Sequence, residues 1–302
     1  MSEMLVVGSV AFDTIHNAEG KHEKIVGGSA TYASISGSFF TGVQLVGIVG
    51  RDFPDQVVSA LRERGVDLEG LEVADGETFH WEGRYTDDLT ARTSLRTELN
   101  VFADFQPKIP ERYRDTPFVM LGNIAPELQL SVLEQVRSPQ LVVADTMNFW
   151  IESKLDALRE LLRRVDVLVI NEEEARQLSG RHHLIHVAHE LLELGPQTVI
   201  IKQGEYGAWL FAGEHVFSAP AFLLEARDPT GAGDSFAGGF LGYVAAAGSA
   251  DPAVLRKAVI YGSTVASFCV EGIGVERLLT LTRDEIEQRV EKFRTLVEFA
   301  GS

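Results

Sequence analysis

The chain has 302 residues, with 27 basic against 44 acidic side chains and a formal net charge of −17. A surface of that sign repels duplex nucleic acid and anionic membranes, so neither is expected as a partner; an anionic small molecule would need a local site with its own cations or backbone donors. No apolar run reaches the ~18 residues of a membrane helix, and a lone cysteine, Cys269, excludes an intrachain disulfide and fits a reducing cytoplasm.

In chain order, the run 3–10 (EMLVVGSV) follows no basic segment and reads as a first strand rather than a signal peptide. Similar runs lie at 43–50, 117–123, 140–146, 166–171 and 197–204; they are short, rich in β-branched residues and nearly continuous. That pattern suits strands covered on both faces, hence a mostly parallel sheet. Amphipathic stretches at 55–64, 126–136, 151–164, 172–179 and 186–193 are expected helices, and the alternation predicts a three-layer α/β/α fold. Several strands end on a polar or glycine residue: Asn123, Asp145, Asn171, Gly204. Ligands of open α/β sheets bind at such ends.

The segment 77–102 breaks this rhythm. Phe79, Trp81 and Tyr85 alternate with His80, Glu82 and Arg84, the period-two pattern of half-buried antiparallel strands. It is either a sheet extension packed on the body or a lid over a ligand. With no repeat or linker, one domain spans 1–302, its β lid built mainly from 77–102 with 14–25 as a candidate second part.

The stretch ARDPTGAGDSFAGGFLG, residues 226–242, holds the densest chemistry. Asp228 and Pro229 end the preceding segment. Gly231 and Gly233 permit a positive φ and leave bare space in front of a helix whose first N–H groups have no partner, a phosphate-binding arrangement. Asp234 reads two ways: a helix-start acid stabilised by the dipole, or a carboxylate that takes the proton of an alcohol attacking phosphorus.

DPTGAGDSFAGGF resembles the C-terminal signature of the ribokinase family, also called the PfkB carbohydrate kinases, and further matches follow in the family's order. GGSATYAS (27–34) resembles its N-terminal glycine signature, and GSVAFD (8–13) a first strand ending in a substrate-binding acid. NEEE (171–174) resembles its Asn-x-x-Glu, KQGEYG (202–207) its nucleotide-contacting turn, and YGSTVASFCVEGIG (261–274) the helix and loop around adenine.

The resemblance implies an ATP- and Mg²⁺-dependent kinase of a sugar or ribonucleoside, acting as a monomer or as a homodimer through the lid. It makes Asp234 the base and Gly231, Ala232 and Gly233 the anion hole. Asn171 and Glu174 would stand near the phosphates and the water shell of Mg²⁺. Lys202, Gly204, Gly207 and Ser263 would lie along the nucleotide. Asp13, Gly27 and Gly28 would hold the acceptor's hydroxyls, and Asp228 and Thr230 are candidate ligands of a monovalent cation such as K⁺.

Tyr32 departs from the family pattern. It stands where sugar kinases often have Asn, and an aromatic there removes two donors and an acceptor. A site lined by Tyr32 and the aromatics Phe79, Trp81, Phe102 and Phe105 could stack a nucleobase, or those rings could fill a lid–body core. A vitamin precursor or inositol-like polyol as acceptor, and a non-catalytic binding protein, are the alternatives. No Walker-type phosphate loop or dinucleotide fingerprint is present. The histidines of RHHLIHVAHE (181–190) are expected to form a solvated face, although His182 and His186 are spaced for a shared metal.

Overall fold

The structure is a computed structural model that describes residues 3–89 and 91–297. The chain opens with β1 (Glu3–Val7), β2 (Ala11–Asn17), β3 (Gly20–Gly27), α1 (Ser29–Ser38), β4 (Gly42–Gly50), α2 (Asp55–Glu63) and β5 (Val66–Ala74). It continues through β6 (Phe79–Tyr85), β7 (Arg92–Glu98), β8 (Phe118–Leu121), α3 (Pro126–Leu133), β9 (Leu141–Asp145), α4 (Asn148–Ser153) and α5 (Leu155–Leu162). Then come β10 (Val167–Asn171), α6 (Glu172–Ser179), α7 (Leu184–Glu193), β11 (Thr198–Lys202), β12 (Ala208–Ala212) and β13 (His215–Ala219). Four helices close it: α8 (Ala232–Ala247), α9 (Pro252–Cys269), α10 (Glu276–Thr280) and α11 (Arg283–Val297).

Nine strands form one sheet in the order β13-β12-β11-β10-β9-β8-β1-β4-β5. Only the pairings of β12 with β11 and β13 are antiparallel. The continuous apolar runs have the expected cause. In β1, Met4 and Val6 join the core beneath α1, α8 and α9, while Leu5 and Val7 join the core on the opposite face. Both faces are covered, so alternation is lost.

The first strand is shorter than its apolar run. β1 ends at Val7, and Ala11 already begins β2 of a second sheet ordered β3-β2-β6-β7. Gly8 permits the break, because a side chain there would meet Ser29 Oγ and the start of α1. This four-stranded sheet draws β2 and β3 from residues 11–27 and β6 and β7 from residues 79–98, the two stretches in which a β lid is expected. The run 151–164 is likewise two helices, α4 and α5, divided at Lys154.

The chain order reverses between β1 and β8: β4 and β5 lie to one side, β8 to β11 to the other. A crevice opens at the carboxyl ends of strands at such a switch point. Gly122 after β8 and Gly8 after β1 both leave room for Ser29 at the start of α1, which seats that helix in the crevice.

Candidate active site

Two helix starts face the crevice. Gly28 precedes α1 with φ +93°, and Gly231 precedes α8 with φ +75°; neither start has a side-chain cap. Gly231 is required twice over. Its φ lies in the left-handed region, and a Cβ would collide with the Tyr32 ring. At Gly233 a Cβ would stand 2.7 Å from Lys202 Nζ, so the missing side chain makes room for an ammonium. Ala232 N–H donates to the Pro229 carbonyl at 3.2 Å, which occupies that amide within the turn. The uncapped start of α8 with Lys202 beside it concentrates positive potential at one point of the crevice.

The carboxylates around this point are out of water. Burial, reinforced by Asp145, pushes Asp234 up to about 7, against the pull of Lys202 and Arg92. Asp13 is 5% exposed, and Gly27 packs directly on its carboxyl. Burial first, then the charges of Asp228 and Asp234, raise Asp13 to about 8. Glu174 is pushed to about 7 by burial and by Asp145. Two of its features come from a capping box: Asn171 accepts from Glu174 N–H at 2.8 Å, and Glu174 Oε2 accepts from Asn171 N–H at 3.1 Å.

Asp228 is 1% exposed, and each of its oxygens takes an amide: Thr230 N at 2.9 Å and Gly274 N at 3.1 Å. The Thr230 hydroxyl meets Tyr85 Oη at 3.0 Å. These two residues brace the turn leading into Gly231 and tie it to the lid. Gly204 (φ +56°) sits on an open turn, whereas Gly207 (φ +101°) is packed against the backbone after β13, so its glycine serves the fold. Ser263 is half-buried in α9. Among the described residues no group of three or more His, Cys, Asp or Glu converges as a closed metal site; His182, His183, His186 and His189 line a shallow surface cavity and are exposed.

The aromatic residues divide. Phe79, Phe102 and Phe105 stack at 5.4 Å intervals and Phe105 is 3% exposed, so these three fill the junction of lid and body. Tyr32 is 1% exposed and lies under Gly231 instead of lining open space, with its hydroxyl unpartnered. Trp81 stays on the lid's inner face. It is paired across the strands with Asp13, lies over Gly83, and donates its indole N–H to Ser94 Oγ at 3.0 Å.

Two groups at the site went unread in the sequence. Asp145, 6% exposed at the end of β9, lies 3.7 Å from Lys202 Nζ; its place at a strand end was visible, its partner was not. Arg92, on β7, acts on the charges of Asp13, Asp145, Glu174 and Asp234.

The model of the pfkB family of carbohydrate kinases matches residues 1–280. The chain belongs to that family. It is an ATP-dependent kinase that phosphorylates an alcohol group. A cytidine kinase of Thermococcus kodakarensis is 32% identical over 250 residues, covering 80% of this chain and 88% of that protein. In fold the kinase matches ribokinase from Thermotoga maritima (TM-score 0.77, 21% identity, 96% of this chain and all of that one). It also matches a nucleoside kinase of Methanocaldococcus jannaschii (TM-score 0.76, 22% identity, 97% and 99%).

Proposed function

We propose that this kinase transfers the γ-phosphoryl of ATP to the hydroxymethyl of a ribonucleoside. The observation that carries the reading is the pairing of Asp13 with Trp81 on the lid face above the open start of α8. A carboxylate suits ribose hydroxyls, and an indole plane beside it suits a base; base–aromatic stacking is worth about 1–3 kcal/mol. The 32% identical relative named cytidine kinase supports the same class.

In the reaction the acceptor oxygen bonds to the γ-phosphorus while the bond from that phosphorus to the β–γ bridging oxygen breaks. ADP leaves with that electron pair, and the hydroxyl proton goes to Asp234. A carboxylate raised to about 7 by burial is matched to that task at neutral pH. The amides at the start of α8 and the Lys202 ammonium meet the charge on the transferred group.

Glu174 and Asp145 offer hard oxygen donors beside Lys202 and suit the water shell of Mg²⁺, which keeps most of its waters; the ion would neutralise phosphate charge. Asp228 takes one amide on each oxygen and Thr230 meets Tyr85, so each keeps acceptor capacity for a monovalent cation, which the proposed cycle does not require. The one cysteine, buried and free, fits a cytoplasmic enzyme.

An acceptor panel with ATP tests the reading: cytidine, uridine, adenosine, inosine, ribose and myo-inositol. At least one nucleoside should exceed ribose and inositol in kcat/KM by about 10-fold or more, the factor expected of one stacked base. Higher kcat/KM for ribose or inositol would overturn the nucleoside assignment.

A further inference from the structure

We infer that Arg92 is a catalytic residue supplied by the lid, its guanidinium closing over the oxygens of the phosphoryl group in transfer. The inference rests only on the phosphotransfer part of the function proposed above, not on the acceptor.

Strand register sets where Arg92 points. Asp13 pairs with Trp81, and Tyr85 pairs with Arg92. Trp81 and Tyr85 are four residues apart on one strand, so they share a face, and strand pairing puts Asp13 and Arg92 on that face too. The guanidinium lies 5.8 Å from the Trp81 ring centroid. Tyr85 connects the arginine to the body. Tyr85 is the cross-strand partner of Arg92, its hydroxyl stands 3.0 Å from Thr230 Oγ1, and Thr230 immediately precedes Gly231. A lid cation is thus tethered to the residue next to the anion-binding turn.

On the lid Arg92 neighbours a phenol and an indole, neither of which carries a charge to neutralise it, and its charge acts across the crevice on Glu174 and Asp234. Five buried or half-buried carboxylates crowd the crevice: Asp13, Asp145, Glu174, Asp228 and Asp234. The cations that pull Asp234 down are Lys202 and Arg92. Lys202 is packed against Gly233 on the floor, and Arg92 comes from the roof. A triphosphate entering this acidic space needs cations on both sides, because charge in a loose phosphoryl transition state spreads over three equatorial oxygens. The planar fork of arginine matches two of them at once. Arg92 stays protonated throughout: it holds charge, while Asp234 takes the proton.

The test compares Arg92→Ala and Arg92→Lys with the wild-type enzyme, using whichever alcohol the wild type phosphorylates best. A wrong acceptor class therefore shows in the wild-type panel and leaves this test intact. Arg92→Ala should lower kcat by about 10²–10³, the usual loss for one transition-state donor, with KM for ATP within about 3-fold. Binding of ADP with aluminium fluoride and acceptor, a mimic of the transferring group, should weaken by a comparable factor while ADP alone binds as before. Arg92→Lys should fall between, and millimolar guanidinium should restore part of the Ala variant's turnover. Unchanged kcat in Arg92→Ala would overturn the inference. So would equal weakening of ADP with and without aluminium fluoride, which would mark a general effect on the lid.

Discussion

Of the helix starts at this crevice, those of α6 and α8 are finished in opposite ways. At α6 the chain closes its own terminus: Asn171 and Glu174 exchange side-chain and backbone bonds in a capping box, and three acids occupy the first turn. At α8 the cap is a left-handed glycine with no side chain, and Asp234 is the acid in the first turn. Asp145 and Lys202 act on both Glu174 and Asp234, so the two starts share one electrostatic neighbourhood. The difference is in what each start still lacks. The capped terminus has satisfied two of its donors, the Asn171 and Glu174 amides, and holds Glu174 still; an open one waits for an anion. In the proposed reaction the sequences NEEE and GAGD thus divide the labour, one fixing carboxylates and the other left open for phosphate.

The largest effect should come from the open start. Asp234→Asn keeps the shape and removes the proton acceptor, so kcat should fall by ~10²–10⁴ with ATP binding little changed. Single-turnover phosphorylation and ATP calorimetry on the same variant check both halves. Turnover near the wild-type value would reduce Asp234 to a helix-start acid and erase the contrast with α6.

What the sequence made legible follows from the same physics. The strands flanked on both faces, β4, β8, β9, β10 and β11, announced themselves as apolar runs because nothing on them faces water. β5 did not: VDLEGLEVA lies at the sheet edge with a mixed burial pattern, and its charged residues mask the strand. α1 shows no amphipathic period because nine of its ten residues are buried, leaving no polar face to detect. The turn at Gly231 was readable because bare backbone before a helix has few other uses. Arg92 was not, since RTSLRTE carries exposed residues along nearly its whole length, and only its pairing with Tyr85 aims one of them inward. The role of Tyr32 also lay beyond sequence: an aromatic in the glycine signature suggested stacking on a substrate, but it packs beneath Gly231.

The next test separates the two jobs of Glu174. Glu174→Gln can still accept from Asn171 N–H, so the cap survives while the charge is lost. Glu174 is raised to about 7 in the fold, above the ~4.3 of an unfolded chain. Its protonated form is therefore the favoured one, and its contribution to stability is complete below pH ~4.3 and lost as pH rises to about 7. In the enzyme without ligands, Glu174→Gln should melt at an equal or higher temperature than wild type at pH 8 and at the same temperature near pH 4. Turnover should nevertheless fall by about 10-fold, and the Mg²⁺ concentration for half-maximal rate should rise. Lower melting at pH 8 with unchanged kinetics would make the residue a cap only.

Asn171→Ala is the mildest change and the sharpest on the closed start. It removes the side chain that accepts from Glu174 N–H at 2.8 Å, and losing such a cap costs about 1 kcal/mol. The melting temperature should drop by about 1–2 degrees. Glu174 keeps its bond to the residue-171 amide, because that donor is backbone. The carboxylate should thus stay near its place, and kcat should fall no further than in Glu174→Gln. If Asn171→Ala instead loses more turnover than Glu174→Gln while its melting temperature holds, the amide touches the nucleotide, and α6 is as open to the phosphates as α8.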